Sequence, residues 1–126
     1  AQATAMAIFW ARRGVPRNRI RRDLESMFGY DTSVSVEELK KTYEYNETCQ
    51  RTVPEAFRCF YEATDFEDAI RNAISIGGDS DTVAAIAGSM AEAKWGVPEE
   101  IGREALARLD KGLLDTFETF IRRYLK

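Results

Sequence analysis

Signals that start and stop helices run through this chain from end to end, and they constrain its fold more than any other feature. Capping boxes, in which a Ser or Thr is followed three residues later by Glu, mark expected helix starts at Ser35/Glu38, Thr52/Glu55 and Thr64/Glu67. Glycines that favour helix ends follow at Gly14, Gly29 and Gly77. The alternation typical of a strand occurs briefly in residues 32–36, where a capping box overlaps it. The sequence therefore predicts an all-α fold.

The same signals predict seven or eight short helices in a compact multi-helix orthogonal bundle, a single domain over residues 1–126. They are expected over residues 1–13, from Pro16 to Gly29, over 36–43, from Thr52, from Thr64 to Gly77, over 83–95, from Pro98, and from Leu113 to the C-terminus. Residues 83–95 form the least polar of these segments, with small side chains on several sides. Such a helix is expected in the interior, where neighbouring backbones approach closely.

The chain contains no histidine, and this excludes several kinds of active site. A Ser-His-Asp triad, a Cys-His pair and a His-ligated zinc site cannot be built from these residues alone. Cys49 and Cys59 are too few for a disulfide scaffold and lack metal-ligand spacing, so reduced, apolar thiols are expected. Acid–base or metal chemistry must therefore come from carboxylates, hydroxyls, Lys, Tyr or these thiols.

Charge and hydropathy limit the partners and the location of the protein. The net charge of −3 and the pI near 5.1 argue against nucleic-acid and anionic-membrane binding. A basic cluster is expected to be a solvated helix surface, with phosphate contact as the alternative: Arg12, Arg13, Arg17, Arg19, Arg21 and Arg22. No apolar run approaches the ~20 residues of a membrane span, and no secretion signal is apparent at the N-terminus. A cytoplasmic protein is the expectation.

The segment whose residues best suit a functional site is Gly77-Gly78-Asp79-Ser80-Asp81-Thr82. The glycines allow a sharp reversal, after which Asp79, Asp81 and the Thr82 hydroxyl surround one helix N-terminus. A hard divalent cation would relieve the repulsion between the two carboxylates, and these oxygen ligands suit Mg²⁺ or Mn²⁺ rather than zinc. The alternative is a loop that ends one helix and caps the next, with its acids solvated.

Residues 77–88, Gly-Gly-Asp-Ser-Asp-Thr-Val-Ala-Ala-Ile-Ala-Gly, closely resemble the C-terminal signature of the ADP-ribosylglycohydrolase family. Residues 2–5, 49–56 and 65–71 also resemble segments of its bacterial members. The resemblance implies an all-α, metal-dependent hydrolase that cleaves the bond between ADP-ribose and a protein side chain or a related small molecule. It also implies that Asp79, Asp81 and Thr82 are ligands of a binuclear Mg²⁺ or Mn²⁺ site. Asp81 is the candidate for touching both ions and for the catalytic role.

The chain departs from the family in one respect. Members are roughly twice as long, consistent with a domain of ~250 residues, and their N-terminal half carries an Asp-Asp-Thr motif that this chain lacks. The chain is therefore expected to be the C-terminal half of the family domain, incomplete as an enzyme on its own. The alternative is a non-catalytic binding or assembly module. In both cases exposed helix faces predict a homo-oligomer or a complex with a separately encoded N-terminal half.

Overall fold

The structure is a computed structural model that describes residues 1–124. These residues form eight α-helices and no strand: α1 (Gln2–Arg12), α2 (Arg17–Phe28), α3 (Val36–Thr42), α4 (Cys49–Glu62), α5 (Phe66–Ser75), α6 (Ser80–Trp95), α7 (Glu99–Leu106) and α8 (Lys111–Tyr124). The predicted all-α fold is confirmed. None of the helices described is both long and apolar enough to cross a lipid bilayer.

The chain divides into two compact units, Ala1–Gly96 and Val97–Lys126. The first contains α1 to α6, and the second contains α7 and α8. The single domain over residues 1–126 stays a prediction.

Helix α6 is the central element of the first unit and packs against α1, α4 and α5. Its buried residues are mostly small: Val83, Ala87, Gly88, Met90 and Ala91. A Cβ atom added at Gly88 would lie 2.8 Å from Ile70 Cδ1 on α5, so a larger residue there would displace the end of the Ile70 side chain. The expectation that this helix lies in the interior is confirmed.

Two of the predicted capping boxes differ from the structure. Helix α4 begins at Cys49 with Thr48 at the N-cap position, so the predicted start at Thr52 is wrong. Thr52 is buried inside the helix, where its hydroxyl donates to the carbonyl of Asn46 (3.0 Å). The true start follows an Asx turn, because Asn46 Oδ1 accepts from the backbone N–H of Thr48 (2.8 Å).

Helix α5 is capped one residue later than predicted. The Asp65 carboxylate, rather than the Thr64 hydroxyl, accepts from the backbone N–H of Asp68 (2.9 Å). The Thr64 hydroxyl instead lies against the Asp68 carboxylate (3.2 Å). The Ser35 box is confirmed at α3, where Ser35 Oγ accepts from the N–H of Glu38 (3.2 Å).

Arg17 departs from the expected solvated basic cluster. Its Nη1 donates to the carbonyls of Phe60 (3.1 Å), Tyr61 (3.0 Å) and Ala63 at the end of α4. Its guanidinium also lies 5.0 Å from the ring centroid of Trp95. Arg17 therefore serves as a C-cap for α4, since carbonyls of the last helical turn lack partners within the helix.

The second unit is a pair of amphipathic helices. Asp110 Oδ1 accepts from the backbone N–H of Leu113 (2.9 Å) and so caps the start of α8. Large apolar side chains on α8 are exposed: Leu113, Phe117, Phe120, Ile121 and Tyr124.

The cysteines are free thiols, as expected. Cys59 is buried, which raises its pKa to about 12, whereas Cys49 is exposed. A thiol with so high a pKa stays protonated at neutral pH, so Cys59 acts as a small apolar core residue.

Candidate functional site

The turn between α5 and α6 is built on two consecutive glycines. Gly77 and Gly78 have φ values of +77° and +65°, a region of backbone space that residues with a side chain rarely adopt. They reverse the chain within two residues, so the acidic segment comes directly to the N-terminus of α6. The sequence predicted this reversal.

Gly78 lies directly against the ring of Tyr43. A Cβ atom added at Gly78 would be 2.5 Å from Tyr43 Cε1 and 3.0 Å from Cδ1. Tyr43 is the C-cap residue of α3, and its ring packs against a core cluster that includes Leu39, Val83 and Ala87. The ring therefore joins the glycine turn to the core and fixes where the turn can lie.

The three predicted ligands occupy the start of α6. Asp79 is the N-cap residue, but its side chain makes no capping hydrogen bond. Asp81 and Thr82 lie in the first turn and are exposed, and the backbone N–H of Thr82 donates to Asp81 Oδ1 (3.0 Å). The structure thus brings Asp79, Asp81 and Thr82 together at one helix end, as the sequence predicted.

Hydrogen bonding favours the ionised form of Asp81. A hydrogen bond with the Asp79 side chain lowers the pKa of the Asp81 carboxyl, and the backbone N–H of Thr82 lowers it further. The two carboxyl groups are therefore close enough to interact. The helix dipole favours negative charge at the same place.

Two tyrosines of the segment after α3 lie in the field of these acids. Burial raises the pKa of Tyr43, and the carboxylates of Glu55 and Asp79 add to the effect. A hydrogen bond to Glu47 raises the pKa of Tyr45, with further contributions from Asp79 and Asp81. The surroundings of the α6 N-terminus are therefore acidic on more than one side.

The donor set at the turn fits a hard cation but does not surround one. Two carboxylates and a hydroxyl are the ligands that Mg²⁺ and Mn²⁺ accept, and both Asp81 and Thr82 are open to solvent. Among residues 1–124, no three or more Cys, Asp or Glu side chains are grouped so that they could hold a metal ion. A cation bound here would need water or groups from elsewhere to complete its coordination.

The sequence did not predict that two polar groups close to the site are buried without a hydrogen-bond partner. In the part of the chain that the structure describes, the Tyr43 hydroxyl and Glu55 Oε2 are buried and have no hydrogen-bond partner. No short-range pattern signals this, because both groups are buried by contacts between segments that are distant in the sequence. Glu55 does belong to a capping-box pattern, but that pattern suggested a local role which the structure does not support.

Comparison with known proteins gave two matches. A family model described as ADP-ribosylglycohydrolase matches residues 1–126. An uncharacterized protein of Archaeoglobus fulgidus is 42% identical over 48 residues, which are 37% of this chain and 16% of that protein. The chain thus spans a small part of the length of this relative. No solved structure matches the chain.

The match to the family model covers the whole chain, residues 1–126. It therefore gives no support to the more specific expectation that these residues are the C-terminal half of the family domain.

Proposed function

Because the chain belongs to the ADP-ribosylglycohydrolase family, we propose that it takes part in metal-dependent hydrolysis of the bond between ADP-ribose and its acceptor. The single observation that carries this proposal is the convergence of Asp79, Asp81 and Thr82 at the N-terminus of α6. The proposed substrate is an ADP-ribosylated protein or an ADP-ribose-containing small molecule.

Asp79, Asp81 and Thr82 are the proposed ligands of Mg²⁺ or Mn²⁺. When bound, such an ion would fix ribose hydroxyls and a water molecule as a Lewis acid. Asp81 is the proposed catalytic residue, because the family resemblance makes it the ligand that would touch both ions, and its side chain is exposed to solvent. Positive charge develops at the anomeric carbon when a glycosidic bond breaks, and carboxylates near that carbon lower the barrier.

We further propose that the remaining ligands come from a segment carrying the Asp-Asp-Thr motif, which is absent from this chain. The three oxygen groups at the α6 N-terminus can hold a hydrated ion, since Mg²⁺ usually retains several waters. They are too few to hold two ions and a substrate together. Weak metal binding without turnover is therefore the expected behaviour of the isolated chain.

Asp81→Asn is expected to weaken Mn²⁺ binding by at least ~10-fold, because it replaces a charged ligand with a neutral amide. Titration calorimetry at millimolar Mn²⁺ measures this directly. Asp115→Asn, on α8, removes the same charge from an exposed position and is the matched control. Equal affinity of both variants and the unaltered chain would contradict the proposal, as would the absence of any heat of binding.

A second candidate function is assembly, and the exposed apolar face of α8 favours it. Five large apolar side chains are exposed there, and such patches in soluble proteins are usually covered by a partner. We propose that a second copy of the chain covers this face. Light scattering is expected to show a dimer, and Phe117→Glu is expected to give a monomer. A monomer before substitution would contradict this proposal.

A further inference from the structure

The ring of Tyr43 touches the two-glycine turn one residue before the first proposed metal ligand. A Cβ atom built on Gly78 would lie 2.5 Å from Tyr43 Cε1, and the backbone carbonyl carbon of Glu44 would be 3.5 Å from it. Asp79 follows Gly78 directly, and consecutive Cα atoms are about 3.8 Å apart. The place of Gly78 therefore limits the place of Asp79.

Both ends of the turn are fixed in the interior of the first unit. Ile76, directly before the two glycines, is 2% exposed, and Val83, directly after Thr82, is fully buried. Both residues belong to the core cluster against which the Tyr43 ring packs. The ring and the two ends of the turn therefore share one set of buried neighbours, so the ring has a defined position relative to residues 77–82.

The Asp79 carboxylate has no hydrogen bond that ties it to the helix it precedes. Asp79 occupies the N-cap position of α6, but its side chain makes no capping hydrogen bond. Its side chain is instead hydrogen-bonded with that of Asp81, two residues further on. The backbone of the turn therefore decides where the Asp79 carboxylate lies and how it meets Asp81.

The relative position of two carboxylates matters to a hard cation. Mg²⁺ requires nearly octahedral coordination, with oxygen ligands at about 2.0–2.1 Å, so a small shift of one ligand weakens binding. Groups that orient the ligands without touching the metal commonly change its affinity by about 10–100-fold when they are removed. A side chain that fixes the turn is expected to act in this way.

We propose that Tyr43 is a positioning residue for the Asp79 and Asp81 carboxylates, because its ring, packed against the core cluster, fixes the glycine turn that precedes them. The inference rests on the proposed function, since it concerns binding of the divalent cation. The ring carries this role rather than the hydroxyl. Ring carbons are the Tyr43 atoms nearest to the position of the Gly78 Cβ, and the hydroxyl has no hydrogen-bond partner among residues 1–124.

Tyr43→Leu and Tyr43→Phe test the inference, with Mn²⁺ binding to the full chain followed by the electron paramagnetic resonance signal of the free ion. Tyr43→Leu is expected to weaken Mn²⁺ binding about tenfold, because leucine lacks the flat ring that meets Gly78. Tyr43→Phe keeps the ring and should bind Mn²⁺ as tightly as the unaltered chain. Equal affinity of Tyr43→Leu and the unaltered chain would overturn the inference, as would an equal loss in both variants.

Phe60→Leu is the matched control, because it makes the same kind of change at the other end of α6. The Phe60 ring is fully buried, and its centroid lies 5.7 Å from that of Trp95, the last residue of α6. Trp95 is about 21 Å from Asp81 along the helix at 1.5 Å per residue. Phe60→Leu should lower the urea midpoint of unfolding and leave Mn²⁺ affinity unchanged. A loss of affinity equal to that of Tyr43→Leu would overturn the inference, because general destabilisation would then explain both.

Gly78→Ala alters the same contact from the side of the turn and is the variant to use should Tyr43→Leu fail to fold. The Cβ of Gly78→Ala meets the Tyr43 ring, whereas that of Gly77→Ala meets nothing within 4 Å. Gly78→Ala is therefore expected to weaken Mn²⁺ binding more than Gly77→Ala, and equal effects would overturn the inference alone. Absence of Mn²⁺ binding by the unaltered chain would overturn the proposed function as well.

Discussion

Gly78→Ala is expected to lower the free energy of unfolding by about 2–4 kcal/mol, as the sum of an unfavourable positive φ and an overpacked contact. The added Cβ would lie 2.5 Å from Tyr43 Cε1, and the φ of +65° already disfavours alanine. The Tyr43 ring cannot easily move away, because it packs against the core cluster. Urea denaturation of the purified variant measures the effect.

Gly77→Ala is the matched control for this substitution. Its φ of +77° is equally unfavourable, but nothing lies within 4 Å of the added Cβ. We expect a loss of about 1–2 kcal/mol from the backbone conformation alone. In a Tyr43→Ala background, Gly78→Ala should cost no more than Gly77→Ala does, because the ring that it meets is gone. Similar losses for both glycine variants in the unaltered chain would show that the ring contact has no energetic role.

Arg17→Ala is expected to destabilise the first unit by about 2–4 kcal/mol, since it removes hydrogen bonds from a charged donor and a cation–π contact. Three carbonyls at the end of α4 lose their donor, and Trp95 loses the guanidinium 5.0 Å from its ring centroid. Thermal and urea unfolding followed by circular dichroism measure the loss.

Two variants show whether this role belongs to Arg17 in particular. Arg19→Ala removes the same kind of side chain from an exposed position, where its distance to the Asp23 carboxylate is 3.6 Å, and should change stability by less than ~0.5 kcal/mol. Arg17→Lys keeps the charge and a nitrogen that can donate to the carbonyls at the end of α4, but it loses the planar guanidinium that lies against Trp95, so it should recover part of the loss and not all of it. Equal effects of Arg17→Ala and Arg19→Ala would contradict the capping role.

Most helix boundaries were predictable from local sequence signals, namely N-cap residues and the glycines that follow helix ends. Gly29 and Gly77 end helices in the structure as their positions predicted, and Ser35 caps α3. The start of α4 was misplaced because the Thr52/Glu55 pattern satisfies the capping rule equally well in a buried helix interior. Only the tertiary structure shows that Thr52 is buried and that Asn46 and Thr48 begin the helix.

The candidate site was predictable to the extent that it is local. Asp79, Asp81 and Thr82 are neighbours in sequence, so a helix start places them together whatever surrounds them. The contact of Tyr43 with Gly78 depends on the approach of two segments that are distant in the sequence, and no periodicity encodes it. The unpaired oxygen of Glu55 arises in the same way, from burial by several segments at once.

The contact of the Tyr43 ring with the two-glycine turn has a consequence for the proposed binding of a cation. The backbone leading into α6 is held by this packing and by backbone hydrogen bonds on both sides of the turn, so a cation bound there would not need to order the loop. The conformational entropy of those residues is then lost when the first unit folds, and binding of an ion adds little to that cost. Preorganisation of this kind favours rapid exchange of an ion with solvent, because neither its arrival nor its departure has to wait for a rearrangement of the chain.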